Sequence, residues 1–146
     1  MIYTLTLNPS IDYTMQVSGF EPGTLTRASA TDYYPGGKGI NVSRVLARLD
    51  VSSTALGYIG GFTGEFIKNA LKNEGIRESF IETGQPTRVN VKLKDDVESE
   101  INGPGPELND QLKQQLEEQL EALARKTGCS LPEVFLPLYR KRSTAP

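Results

Sequence analysis

The sequence predicts an α/β fold: part of a parallel sheet with helices on its faces, overlaid by a small second sheet. Three observations predict it. Segments of strand-like alternation are followed by segments with apolar residues at helical spacing. Each change of period is marked by glycine or proline. Three further strand-like stretches, about residues 11–17, 25–34 and 88–101, are more polar and do not fit the alternation.

From the N-terminus, Ile2 to Leu7 alternates and stops at Asn8-Pro9, which predicts a first strand. Ile11 to Val17 alternates again, and Leu25 to Tyr34, rich in Thr, Ala and Tyr, is a third candidate strand. Pro35-Gly36-Gly37-Lys38-Gly39 then breaks the pattern. Val42, Val45, Leu46 and Leu49 come next at helical spacing, predicting a half-buried helix with those residues inward. Ser53 to Ile59 is the next strand, and Gly60-Gly61 and Gly64 mark its end. Phe66, Ile67, Ala70 and Leu71 form a second amphipathic helix, with Gly75 placed as its left-handed stop. Two strands turn at Gly84-Gln85-Pro86 and again at Asp95-Asp96. Asn102-Gly103-Pro104-Gly105-Pro106 is a stiff loop opening a long helix, with Leu108, Leu112, Leu116, Leu120 and Leu123 as its core stripe.

Composition narrows the chemistry. A chain of 146 residues with 37% hydrophobic and 23% charged side chains reads as one soluble domain. No apolar run approaches a membrane span and no leader precedes the first strand, so a cytoplasmic location without membrane partners is expected. The net charge of −2 removes the electrostatic footprint of a nucleic-acid binder. One Cys and no His exclude disulfides within the chain, His-based triads and His metal sites. The chemistry falls to Asp, Lys, Arg, Asn and backbone amides.

Three places can carry it. In Gly36-Gly37-Lys38-Gly39-Ile40-Asn41, the glycines allow close backbone approach, and the helix start after them suits a hydroxylated or phosphorylated ligand. Lys38 supplies a point charge and Asn41 both donor and acceptor; a plain strand-to-helix turn is the competing reading, and the P-loop spacing is absent. Asp12 lies beyond the first strand's C-terminal end, where open α/β sheets bind ligands; a turn residue or cap mimic is the alternative. In Thr87 to Leu93, a period of two puts Val89, Val91 and Leu93 on one face and Arg88, Asn90 and Lys92 on the other. Two cations and an amide can clamp a phosphate, or can be simply an exposed strand face.

Together, Asn8-Pro9-Ser10-Ile11-Asp12, Gly36 to Val42, Gly60-Gly61-Phe62-Thr63-Gly64, Thr87 to Lys92 and Glu100 to Gly105 resemble the ribokinase-like (PfkB-type) sugar kinases over residues 1–123. The resemblance implies the N-terminal half of a three-layer, Rossmann-like sheet with a β-sheet lid that pairs two subunits. It implies transfer of a phosphoryl group from ATP, with Mg²⁺, to a phosphorylated ketohexose. Fructose 1-phosphate, giving fructose 1,6-bisphosphate, is the expected substrate, with tagatose 6-phosphate as the alternative. By motif, Asp12, Gly37, Lys38 and Asn41 would hold the sugar and Arg88 its phosphate; Asn90, Lys92 and Arg27 would line the lid. The family's catalytic Asp, in an Asp-Thr-x-Gly-Ala-Gly-Asp motif, and most of its nucleotide site have no match, so no catalytic residue is assigned. The chain is expected to be inactive alone and poorly soluble, with an unpaired strand edge and an uncovered apolar face. A non-catalytic sugar-phosphate-binding or pairing module is the rival reading.

The family part is expected to end near residue 127. Residues 128–146 hold the only Cys, three of the nine prolines and Arg140-Lys141-Arg142, without periodicity. Permissible codons for Cys129 to Pro137, read in a shifted frame, spell Leu-Phe-Ala-Gly-Ser-Val-Pro. That contains the family's Ala-Gly-Ser-x-Pro motif, so a frameshift near 127–129 is expected.

Overall fold

The structure, a computed structural model, describes residues 2–128. The chain divides into two units, Met1–Leu108 and Asn109–Pro146. The first unit contains two sheets. β1 (Ile2–Thr6), β4 (Ser53–Ile59) and β5 (Arg77–Glu82) form a parallel sheet in the order β1-β4-β5. β2 (Ser10–Gln16), β3 (Ala30–Gly36), β6 (Arg88–Lys94) and β7 (Ser99–Asn102) form a mixed sheet in the order β3-β2-β6-β7. Its outer pairs are antiparallel and its central pair, β2 and β6, is parallel. Both expected layers are therefore present, the parallel α/β sheet and the small polar one.

Two helices belong to this unit, α1 (Lys38–Arg48) and α2 (Gly61–Asn73). α2 obeys its predicted pattern: Ile67 and Leu71 are fully buried in a core with Ile11, Ile40, Ala55 and Ile76. Burying such side chains stabilises the fold by about 1.5–3 kcal/mol each. Gly75 closes the helix with φ +71°; its N–H reaches the Lys72 carbonyl at 3.0 Å, and the Ile76 N–H reaches the Leu71 carbonyl at 2.9 Å. That is a Schellman stop, and only a residue at ease with positive φ serves it without strain.

α1 departs from its prediction. Ile40 and Ser43 are the residues it buries, with Ala47 packed against the core, while Val42, Val45 and Leu49 are 51%, 52% and 66% exposed. The physical reason is Ser43. Its hydroxyl lies 2.7 Å from Thr4 Oγ1 of β1 and accepts from Ser53 Oγ of β4 at 2.9 Å. A polar residue that reads as outward is thus satisfied inside. β1 pairs only with β4, so one of its edges is unpaired among the described residues.

β3 is a second correction. The strand begins at Ala30, not Leu25, and runs through Pro35 and Gly36. Proline fits because β3 is an edge strand, where a residue without an N–H need break no ladder. Residues 25–29 are loop, and Leu25 is 85% exposed.

In the second unit, α3 (Asp110–Thr127) starts two residues later than Leu108, because the Asn109 side chain accepts the Leu112 N–H at 2.9 Å. Leu112 and Leu116 are buried, and Gly128, φ +65°, ends the helix. No helix among the described residues is long and apolar enough to cross a membrane. The expected frameshifted tail from Cys129 onward, with Arg140-Lys141-Arg142, lies outside the described residues.

Candidate functional site

The polar face of the mixed sheet is assembled by register. β2 and β6 set Ser10 beside Arg88, Asp12 beside Asn90 and Thr14 beside Lys92. Alternation therefore puts Ser10, Asp12, Arg88, Asn90 and Lys92 on one side, and Ile11, Tyr13, Val89 and Val91 on the other. Ile11 and Val89 pack into the common core. The core thereby fixes which face carries the polar residues, since a one-residue slip would bury the charges.

On that face the side chains form one network. Asp12 Oδ1 accepts from Ser10 Oγ at 2.8 Å and from Asn90 Nδ2 at 3.0 Å. Asn90 Nδ2 also lies 3.2 Å from Ser10 Oγ, and Asn90 Oδ1 accepts from Arg88 Nη1 at 2.8 Å. Arg88 Nε donates to the Asn8 carbonyl at 3.3 Å. Lys92 Nζ meets the other carboxylate oxygen, Asp12 Oδ2, at 3.3 Å. Arg88 has no carboxylate partner among the described residues, so part of its donor fork is available to an anion.

Glycines shape the surroundings. A Cβ on Gly36 would stand 2.5 Å from Ser10 Oγ and 2.6 Å from Asp12 Oδ1. Gly37, at φ +128°, precedes α1 and lies against the Thr6 side chain, and a Cβ on Gly39 would meet the Leu5 carbonyl at 2.5 Å. Their missing side chains thus let α1 start close against β1 and β2. Gly60 and Gly61 serve close packing in the same way, against the turn at Gln85 and Pro86. Gly105 lies against the Asn8 side chain, and the Gly103 N–H donates to the Val89 carbonyl at 3.0 Å. The loop after β7 is thereby fastened over the strand starts that hold Arg88.

The structure thus brings together four of the candidate residues: Asp12, Arg88, Asn90 and Lys92. Gly37 comes directly after Gly36, which touches Asp12, and Lys38 and Asn41 lie on the first turn of α1 without hydrogen bonds to the network. Arg27 stands apart, on the loop between β2 and β3 rather than on a lid strand. That loop is held by Asp95, whose carboxylate accepts the N–H groups of Phe20 at 2.7 Å and Gly19 at 3.2 Å. The Phe20 amide foremost, then the Asp96 amide and lastly that of Gly19, hold the Asp95 carboxyl below the usual carboxylate range.

The sequence pattern alone assigns no role to Ser10, and it marks Gly36 only as part of a glycine-rich turn. Ser10 is 1% exposed at the centre of the network, and Gly36 is its cross-strand partner. One signal finds both, the pairing register of β2 and β3.

The parallel α/β layer with its mixed sheet is an architecture that the chain shares with solved structures of ribokinase-like kinases. The chain belongs to the pfkB family of carbohydrate kinases, whose family model matches residues 5–143. It is 56% identical over 111 residues to a 1-phosphofructokinase of Bacillus subtilis, covering 76% of this chain and 37% of that protein. A D-tagatose-1-phosphate kinase of Bacillus licheniformis is 40% identical over 114 residues, covering 78% of this chain and 38% of that protein. Among solved structures, phosphofructokinase-2 from Escherichia coli in complex with fructose-6-phosphate superposes with a TM-score of 0.76. Its identity is 36%, over 83% of this chain and 41% of that one. The chain spans about two fifths of the length of these relatives.

Proposed function

We propose that this chain is the sugar-phosphate-binding part of a 1-phosphofructokinase, acting in the cytoplasm on fructose 1-phosphate. The observation that carries this reading is the Asp12–Asn90–Arg88 chain of hydrogen bonds, which ends in a guanidinium without a carboxylate partner among the described residues. Asp12 accepts from sugar hydroxyls, Lys38, Asn41 and the Gly37 backbone line the same end of the site, and Arg88 with Lys92 takes the phosphate. Arg27, on the loop between β2 and β3, is the weaker candidate for the lid. The tagatose-phosphate kinase relative makes a tagatose phosphate the alternative substrate.

ATP is the family's phosphoryl donor and Mg²⁺ its metal, and none of the candidate residues of this chain is assigned to hold either. No phosphoryl-transfer step is assigned to this chain, which is expected to bind substrate without turning it over. Calorimetry with fructose 1-phosphate and fructose, beside an assay for ADP release, tests both parts. Preferential binding of the phosphorylated sugar with no ADP is the expected result. Equal or absent binding contradicts the sugar site, and ADP release at family rates contradicts the inactivity.

A second role rests on the opposite face of the mixed sheet. Tyr33, Tyr13, Val91 and Ile101 form a cross-strand row; Tyr13 and Tyr33 stack at 4.3 Å, while Tyr33 and Ile101 are 53% and 65% exposed. This apolar row is the surface through which two copies of the lid would pair. Sedimentation of the wild type against Ile101→Glu checks it, a dimer becoming a monomer. The frameshift stands as a proposal beside these. The family match runs on into that tail, to residue 143, and resequencing the gene from the Leu123 codon onward decides it.

A further inference from the structure

The two oxygens of Asp12 are not equivalent. Oδ1 accepts from Ser10 Oγ and Asn90 Nδ2, both on buried residues, and Oδ2 takes neither of those bonds. Oδ2 is occupied by Lys92 Nζ. Lys92 has another carboxylate at hand, since Glu100 sits directly across from it on β7, yet it pairs with Asp12. Arg88 approaches from the opposite end, its head on the Asn90 amide that Asp12 also shares. The two cations therefore flank the Asp12–Asn90 pair on one face of β6, Arg88 on the amide and Lys92 on the carboxylate, and a phosphate bound over that pair draws on both.

We propose that the Lys92–Asp12 pair is a placeholder that makes hydroxyl recognition conditional on phosphate. This rests on the sugar-phosphate reading and deepens it, by naming Lys92 as the residue that sets specificity. A sugar without phosphate must compete with an ammonium for Oδ2 and offers that ammonium no counter-charge in return. A sugar phosphate draws Lys92 onto its own anion and leaves Oδ2 free for a hydroxyl. Discrimination thus comes from a competing contact in the empty site as well as from a new contact in the filled one.

The test compares wild type, Lys92→Met and Lys92→Arg for binding of fructose 1-phosphate and of fructose. Lys92 is partly exposed, so neither change threatens the core. Lys92→Met is expected to weaken fructose 1-phosphate about tenfold and to tighten fructose several-fold. Lys92→Arg keeps the pair and the wild-type preference. Fructose binding to Lys92→Met that is unchanged, weaker or undetectable overturns the proposal, because Lys92 is then only a phosphate ligand and the sugar site itself stands. A wild type that binds no fructose 1-phosphate overturns the sugar-site reading, and this proposal with it.

Discussion

The two sheets of the first unit are held in different ways. The parallel sheet and α2 rest on apolar burial: Ala55, Leu56, Tyr58, Ile59, Ile67 and Leu71 are all nearly or wholly inaccessible. The mixed sheet carries Ile11 and Val89 into that core, but its other face depends on a hydrogen-bonded network and on glycines that leave room for it. The difference teaches where tolerance lies. An apolar layer accepts residues of similar volume, whereas a network around one carboxylate depends on single atoms.

The largest effect is expected in the apolar layer. Ile67→Ala removes a fully buried side chain at the junction of both sheets and should cost about 2–5 kcal/mol, measured by urea unfolding. A loss near zero would mean that the core is not shared. Gly36→Ala comes next. Its Cβ intrudes on Ser10 and Asp12, so it should cost about 1–3 kcal/mol and displace the carboxylate, with weakened fructose 1-phosphate binding in calorimetry. Arg88→Ala should cost only about 1 kcal/mol in unfolding, for the Asn90 Oδ1 it leaves unpaired, while weakening fructose 1-phosphate by about 1.5–3 kcal/mol, a charge-assisted contact. That separation of binding from stability is what distinguishes the network from the core.

A pH effect sharpens the contrast on the exposed side. Asp95 has its carboxyl lowered by the Phe20 and Gly19 amides, so it contributes stability above the ordinary carboxylate pKa. That contribution is lost as pH falls through the lowered folded value, because the proton then competes with the N–H donors. Amide exchange at Gly19 and Phe20, each compared with an unstructured amide at the same pH, should lose protection in acid. Asp95→Asn keeps one acceptor oxygen in place of two, so one of the two amides should already have lost its protection at neutral pH. The smallest effect belongs to α1: Val45→Lys or Leu49→Lys should change stability by no more than about 0.5 kcal/mol in this chain. A large loss there would restore the inward stripe that the sequence predicts.

Legibility divides along the same line. Ser53–Ile59 and the Gly75 stop are readable because an apolar run and a glycine each carry one strong local signal. The inward face of α1 is not, because Ser43 is buried by hydroxyl partners on β1 and β4, one of them distant in sequence. Pro35 and Gly36 look like breakers until β3 is known to be an edge strand. In the site, the period of two reveals Arg88, Asn90 and Lys92, all on one strand. Ser10 and Gly36 need the register between strands, which no single segment encodes.

The most direct test is a titration of the ¹⁵N-labelled chain with fructose 1-phosphate, monitored through the backbone and Asn side-chain amide resonances. The account predicts saturable shifts at residues 8–12, 36–41 and 88–92, with the Asn90 side-chain amide among the largest and Arg88→Ala abolishing most of them. Shifts scattered over the surface, or an unchanged response in Arg88→Ala, would contradict it.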